Sequence, residues 1–223
     1  MAKLRLREFG EIRVPAWVVD HPSFLKWLRS GAVPEDIKIG YINNEVWVDN
    51  MAERAFAHNQ IKTRLSRVLD ALSEENRTGV YFSDGMTFTS EAGGFTAVPD
   101  GIFVCRETID SGRVTLTGGR RSHHDTELIG KPDLVVEIVS DSSVYKDTEW
   151  LMANYWNAEV GEYWVIDGRT QPLQFTVYRR GEKGFVAVRR AEGWSRSPTL
   201  GKSFRFVAGP EEMGFSTYRL EVR

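Results

Sequence analysis

PDLVVEIVSDSSVYKDTEWLMANYWNAEVGEYWVID, residues 132–167, is the stretch that decides the fold. Leu134-Val135-Val136-Glu137-Ile138-Val139 is a short, β-branched run bounded by turn residues, and it predicts a buried strand. Tyr163-Trp164-Val165-Ile166 predicts a second strand. The segment between them has helical spacing and opens at Ser142 and Ser143. Strand, helix, strand at this length is a βαβ unit, and such units build parallel sheets covered on both faces. Glu137 is the misfit. A carboxylate in a strand buried on both sides is costly unless it is paired or holds a metal. Such a conflict between residue and local rule marks a position kept for function.

Outward from this stretch, 223 residues suit one α/β domain with decorations or two small ones. Hydrophobic residues make up 41% and charged residues 27%, enough apolar mass for a core. The net charge of -2 excludes the global basic field of a general nucleic-acid binder but leaves room for a local basic groove. A single cysteine, Cys105, excludes an intrachain disulfide and fits a reducing cytoplasm. The N-terminal residues carry no apolar stretch of signal-peptide length, and no window approaches the ~18 apolar residues of a membrane span. The expectation is a soluble, cytoplasmic protein with no membrane partner.

Residues 1–20 predict an extended arm leading to a short helix. His21-Pro22-Ser23 start that helix, Phe24, Leu25, Trp27 and Leu28 give it an apolar face, and Gly31 to Pro34 end it. Ile39–Ile42 and Val46–Val48 alternate around Asn43-Asn44-Glu45, a hairpin signal. Residues 53–76 form the first long helix, with Ile61, Leu65, Val68, Leu69 and Leu72 in one stripe. Arg54, Lys62, Arg64 and Arg67 fall elsewhere and read as a solvated face. Gly79 is read as the helix stop. Val80–Phe82 and Met86–Thr89 read as strands joined at Asp84-Gly85, and Ala97–Val104 as one strand with Asp100 at its heart. Residues 106–130 read as a long loop. Phe175–Tyr178 and Phe185–Val188 read as a hairpin, and Phe204–Val207 as a short strand. After Pro210 there are few signals.

Asp100, Glu137 and Lys146 stand out together. If the strands of Asp100 and Glu137 are neighbours, two carboxylates meet at one sheet edge, and a lysine in the first turn of the following helix leans back toward them. Two such carboxylates make a hard oxygen site suited to Mg²⁺ or Mn²⁺. A lysine beside it can orient a water or stabilise charge on phosphate. Plainer readings stand beside these: Glu137 paired with a buried arginine or lysine, Asp100 as a turn residue before Gly101, Lys146 as an exposed helix residue. Asp133 reads as a turn or cap, Asp141, Ser142 and Ser143 as an N-cap cluster, and His123-His124 as solvated loop residues. Cys105 reads as a small buried residue, and Tyr155, Trp156, Tyr163 and Trp164 as core packing.

Val98-Pro99-Asp100, then Pro132–Ser140 with Glu137 at the strand centre, then Asp147, Tyr155 and Glu162–Asp167 resemble the Uma2 (DUF820) family of restriction endonuclease-like proteins within the PD-(D/E)xK nuclease superfamily. The resemblance spans roughly residues 35 to 180. The superfamily lysine lies two residues after the acid, where this chain has Val139. Many Uma2 members carry it instead four residues before the tyrosine that matches Tyr155, where this chain has Leu151. Lys146 is the nearest replacement. The resemblance implies a metal held by Asp100, Glu137 and the backbone carbonyl of Ile138. It also implies a further polar ligand from near the first long helix, with Glu45 and His58 as candidates.

The expected fold is α/β and restriction-endonuclease-like: a central mixed sheet flanked by helices, with an extra N-terminal helix and a C-terminal β-hairpin. Residues 1–34 would be an arm and short helix, and 35–223 one nuclease domain. The expected activity is Mg²⁺-dependent (or Mn²⁺-dependent) hydrolysis of DNA phosphodiester bonds. The alternative is a nuclease-fold module that binds DNA or a protein partner without cutting. A hydrolase using Asp100 and Glu137 as an acid/base pair on another substrate is a third reading. Trp17, Trp27 and Trp47, read as exposed, point to a homodimer interface.

Overall fold

The computed structural model describes residues 3–6, 10–34, 37–49, 55–117, 127–139, 150–212, 214 and 216–223. Strands β1 (Lys3–Leu6) and β2 (Gly10–Arg13) form an antiparallel pair ahead of helix α1 (His21–Leu28). Asp20 caps α1 by accepting from the Ser23 backbone N–H at 2.9 Å, while the Ser23 hydroxyl accepts from the Asp20 N–H at 3.0 Å. That reciprocal box explains why the helix starts at His21. Next come β3 (Lys38–Ile42), β4 (Glu45–Asp49), α2 (Ala55–Asn76), β5 (Gly79–Ser83), β6 (Thr87–Ser90), β7 (Phe95–Ala97) and β8 (Gly101–Cys105). Then follow α3 (Arg106–Asp110), β9 (Val114–Thr117), β10 (Glu127–Gly130) and β11 (Leu134–Ile138). The chain continues with α4 (Leu151–Asn157), β12 (Glu162–Asp167), β13 (Gln174–Arg180) and β14 (Phe185–Ala187). It closes with β15 (Ser195–Arg196), β16 (Ser203–Ala208) and β17 (Tyr218–Val222).

A central six-stranded sheet runs β14-β13-β12-β11-β8-β5, and β11 and β12 are parallel while the other neighbours are antiparallel. The βαβ reading of residues 132–167 therefore describes the middle of this mixed sheet. A second six-stranded sheet runs β4-β3-β7-β6-β10-β9, and a three-stranded one runs β15-β16-β17.

Alternation along β11 explains its continuous apolar run. Leu134, Val136 and Ile138 face a core shared with Ile61, Leu65 and Leu69 of α2 and with Phe204, Tyr218 and Leu220 of the C-terminal sheet. Val135 faces the other way, with Leu151 and Tyr155 of α4 and Phe88, Phe95 and Leu128 of the second sheet. A third cluster packs Phe24, Leu25 and Trp27 of α1 on Ile39 and Tyr41 of β3. Glu162 is fully buried at the start of β12. It accepts from Trp164 Nε1 at 2.6 Å, the Thr199 N–H at 2.8 Å and the Ser197 hydroxyl at 3.0 Å, which ties the C-terminal segment to the central sheet. Burial pushes its carboxyl up, and the three donors oppose that shift.

Several local expectations change. Ala97–Val104 is two strands in different sheets, broken at Val98-Pro99-Asp100, because Pro99 has no N–H to give a ladder. Asp100 thus precedes β8 instead of lying inside a strand. β5 and β6 likewise part into different sheets at Asp84-Gly85. Arg77 takes the left-handed turn after α2 (φ 48°), not Gly79. Gly79 opens β5, where a β-carbon would strike the Val104 carbonyl oxygen. The loop read at 106–130 holds α3, β9 and β10, while His123 and His124 lie outside the described residues. β1, β2 and β17 had no clear sequence signal. Asn43 and Asn44 both take positive φ (52° and 62°), as the hairpin reading requires. Of the three tryptophans read as exposed, Trp17 is half-exposed, Trp27 is buried, and Trp47 packs edge-on against Trp150 at 5.0 Å. Among the described residues no helix is long and apolar enough to cross a membrane.

Candidate active site

β8 and β11 pair with Val136 opposite Gly101. Asp100 immediately precedes Gly101, so it lies at the end of this pairing, beside Glu137. Both are buried. One carboxylate oxygen of Asp100 accepts from the Ile138 backbone N–H at 2.9 Å, so Asp100 is fastened to the residue next to Glu137. Glu137 accepts from the Tyr155 hydroxyl of α4 at 2.6 Å. Tyr155 is packed in the core, as its sequence suggested, and its polar end serves this carboxylate.

The other oxygen of Asp100 faces α2 and β3. His58 Nε2 is 3.3 Å away, Lys62 Nζ 3.2 Å and Lys38 Nζ 3.9 Å. His58 and Lys62 are four apart on α2 and so stack on one face. The two ammonium groups also reach Asp84, Lys38 at 2.6 Å and Lys62 at 3.2 Å. Asp84 is held in place because its backbone N–H donates to the Asp100 carbonyl at 3.1 Å. Burial pushes the Asp100 carboxyl up. The bond and charge of His58 and the charges of Lys62 and Lys38 outweigh it, and the group lies well below the usual carboxylate range. Asp84 is lowered too: burial raises it, and Lys38 and Lys62 more than offset that.

Sequence reasoning missed three members of this cluster. Lys62 was read as solvated, yet its side chain is 14% exposed. Lys38 and Asp84 drew no reading as site residues. The one available signal was the His58–Lys62 spacing beside the apolar stripe. Glu45 is exposed and pairs with Ile42, four residues along β3 from Lys38. At ~3.3 Å per residue its backbone is about 13 Å farther along the hairpin, so the fold does not bring it to Asp100. Lys146, with Asp141, Ser142, Ser143 and Asp147, lies outside the described residues. Asp133 acts as a cap: it accepts from the Cys105 N–H at 2.7 Å, the Thr108 hydroxyl at 2.8 Å and Arg113 at 2.9 Å.

Among the described residues no three His, Cys, Asp or Glu side chains converge as a metal cluster. The donors on hand are two carboxylates and the Ile138 carbonyl, all hard oxygens of the kind Mg²⁺ or Mn²⁺ takes. Two ammonium groups beside Asp100 oppose a cation there, but each has Asp84 as a second partner within 3.2 Å and can turn to it. The donor set therefore fits a hard divalent ion.

The sequence profile of Uma2, described as "Putative restriction endonuclease", matches residues 22–207. No curated protein matches the chain. Solved structures that match include the crystal structure of a "putative nuclease belonging to DUF820" from Anabaena variabilis. That match has 18% identity and a TM-score of 0.59, and it covers 82% of this chain and 91% of the other. At that identity the likeness shows the shared fold.

Proposed function

The chain belongs to the Uma2 family, and from that premise we propose that it is a divalent-metal-dependent endonuclease hydrolysing DNA phosphodiester bonds. The observation that carries the proposal is the bond from the Ile138 N–H, next to Glu137, to the Asp100 carboxylate, with the Lys62 ammonium 3.2 Å from Asp100. Asp100, Glu137 and the Ile138 carbonyl would hold Mg²⁺ or Mn²⁺. When bound, such an ion polarises a phosphoryl oxygen and makes water more acidic.

The chain's own residues do the rest. Tyr155 fixes the Glu137 carboxylate, and the Ile138 N–H and His58 fix that of Asp100. Lys62 presents a positive charge where negative charge grows on phosphate. Lys146 is the second candidate for that amine. A cleavage assay on DNA with Mn²⁺ tests the reading. Glu137→Ala is expected to abolish cleavage, and comparing Lys62→Gln with Lys146→Gln assigns the amine. Equal cleavage by wild type and Glu137→Ala removes the proposal.

One observation favours the non-cutting alternative: Lys62 and Lys38 already balance the charge of Asp100. Calorimetry separates the two readings. The alternative predicts DNA affinity with no heat of Mn²⁺ binding at millimolar concentration.

A further inference from the structure

A cleft of about 500 Å³ opens between α2 and β5, lined by Lys62, Thr63, Ser66, Arg67, Asp70 and Tyr81 with Ser83 and Asp84 at its end. Lys62 and Asp84 belong also to the Asp100 cluster, so the cleft adjoins the candidate site. Its volume is that of a site for one small ligand, and β5 is the edge strand of the central sheet among the described residues.

The polar groups in the cleft sort by chemistry. The Arg67 side chain makes no ion pair or hydrogen bond among the described residues, so its guanidinium is open to an anion and has the fork that grips phosphate. It lies five residues from Lys62 on α2, about 7.5 Å of rise. Thr63 and Ser66 donate their hydroxyl protons to the Asn59 and Lys62 carbonyls, at 2.8 and 2.9 Å. They therefore face the cleft with lone pairs, which suit the N–H groups of a base and not a phosphate. Tyr81 forms the floor. Its hydroxyl is buried beside the Ser66 hydroxyl, and a β-carbon on Gly101, next to Asp100, would strike it.

We propose that this cleft seats the nucleotide next to the scissile phosphate of the substrate strand, with Arg67 holding that nucleotide's phosphate. The proposal rests on the nuclease reading for the place of the scissile phosphate, but binding in the cleft can be measured without cleavage. The test is fluorescence anisotropy of a labelled twelve-residue oligodeoxynucleotide with the full chain in EDTA, over a series of salt concentrations. Arg67→Gln is expected to weaken binding about tenfold at low salt and to flatten the salt slope by about 0.7, the share of one phosphate contact on a single strand. Arg219→Gln, an exposed arginine on the C-terminal sheet, serves as the control and is expected to bind as wild type does.

Equal affinity of wild type and Arg67→Gln overturns the proposal, as do equal losses in both variants or no binding by wild type. Arg67 is exposed and its side chain makes no ion pair among the described residues, so its substitution leaves the fold intact, which a melting curve checks. Tyr81→Phe gives an independent reading. Loss of this buried hydroxyl should leave melting nearly unchanged, and oligonucleotide affinity should fall at least threefold if the hydroxyl turns to the ligand. Unchanged affinity with unchanged melting removes Tyr81 from the proposed seat and overturns that part of it. Loss of cleavage in Mn²⁺ is scored separately through Glu137→Ala, so either idea can fail without the other.

Discussion

Replacing Asp100 by Asn keeps the shape of the side chain and one oxygen for the Ile138 N–H, but removes the charge. Lys62 then loses a charge-assisted contact made at 3.2 Å in a buried setting. Such contacts are worth about 1.5–3 kcal/mol. Asp84 stays 3.2 Å from Lys62 and 2.6 Å from Lys38, so part of the loss is offset. The net expectation is a loss of about 2 kcal/mol at pH 7 in the metal-free protein, or roughly 4–8 °C in melting temperature for a chain of this size.

The pH dependence has a definite sign. Asp100 titrates lower folded than unfolded, where aspartate lies near 3.9. Its stabilisation is therefore complete above about pH 4 and is lost as pH falls below that toward the folded value. The gap between wild type and Asp100→Asn should narrow in acid. Urea unfolding at pH 7 and pH 3 measures both quantities. An Asn variant as stable as wild type at pH 7, or a gap that widens on acidification, would refute the idea that Lys62 and Lys38 balance this carboxylate.

Tyr155→Phe removes the 2.6 Å donor to buried Glu137, so a melting curve should show a loss of about 1.5–3 kcal/mol, and Mn²⁺ affinity measured by calorimetry should fall. Mn²⁺ at a hundredfold excess over its dissociation constant should stabilise wild type by about 2.7 kcal/mol, and Glu137→Gln should not respond. Burial, helped by the nearby Asp133 charge, pushes the Cys105 thiol up to about 12. Iodoacetamide at pH 8 should therefore label the native protein far more slowly than the urea-unfolded chain, as mass spectrometry would show.

Local pattern in the chain was enough to read part of the fold. The β-branched runs at 134–139 and 163–166 read as strands because a strand buried on both faces needs no polar alternation. The Ile61-Leu65-Leu69 stripe read as a helix face because its period is that of one. Asn43-Asn44 read as a turn because asparagine tolerates positive φ. Glu137 stood out because it breaks such a pattern.

Which charges meet depends on how distant segments pack. Lys38, His58, Lys62, Asp84 and Asp100 come from β3, α2 and two bends, and nothing in their spacing says that they converge. Lys62 looked solvated because a lysine off the apolar stripe usually is. It lies against Asp100 and against Asp84, whose turn is pinned by the Asp100 backbone. Glu162 makes the same point from the other side. It is a buried strand carboxylate like Glu137, but donors at residues 164, 197 and 199 satisfy it, two of them from a segment more than thirty residues away. Whether a buried acid is a structural tie or a candidate ligand depends on the donors around it, and those are set by the packing of distant segments.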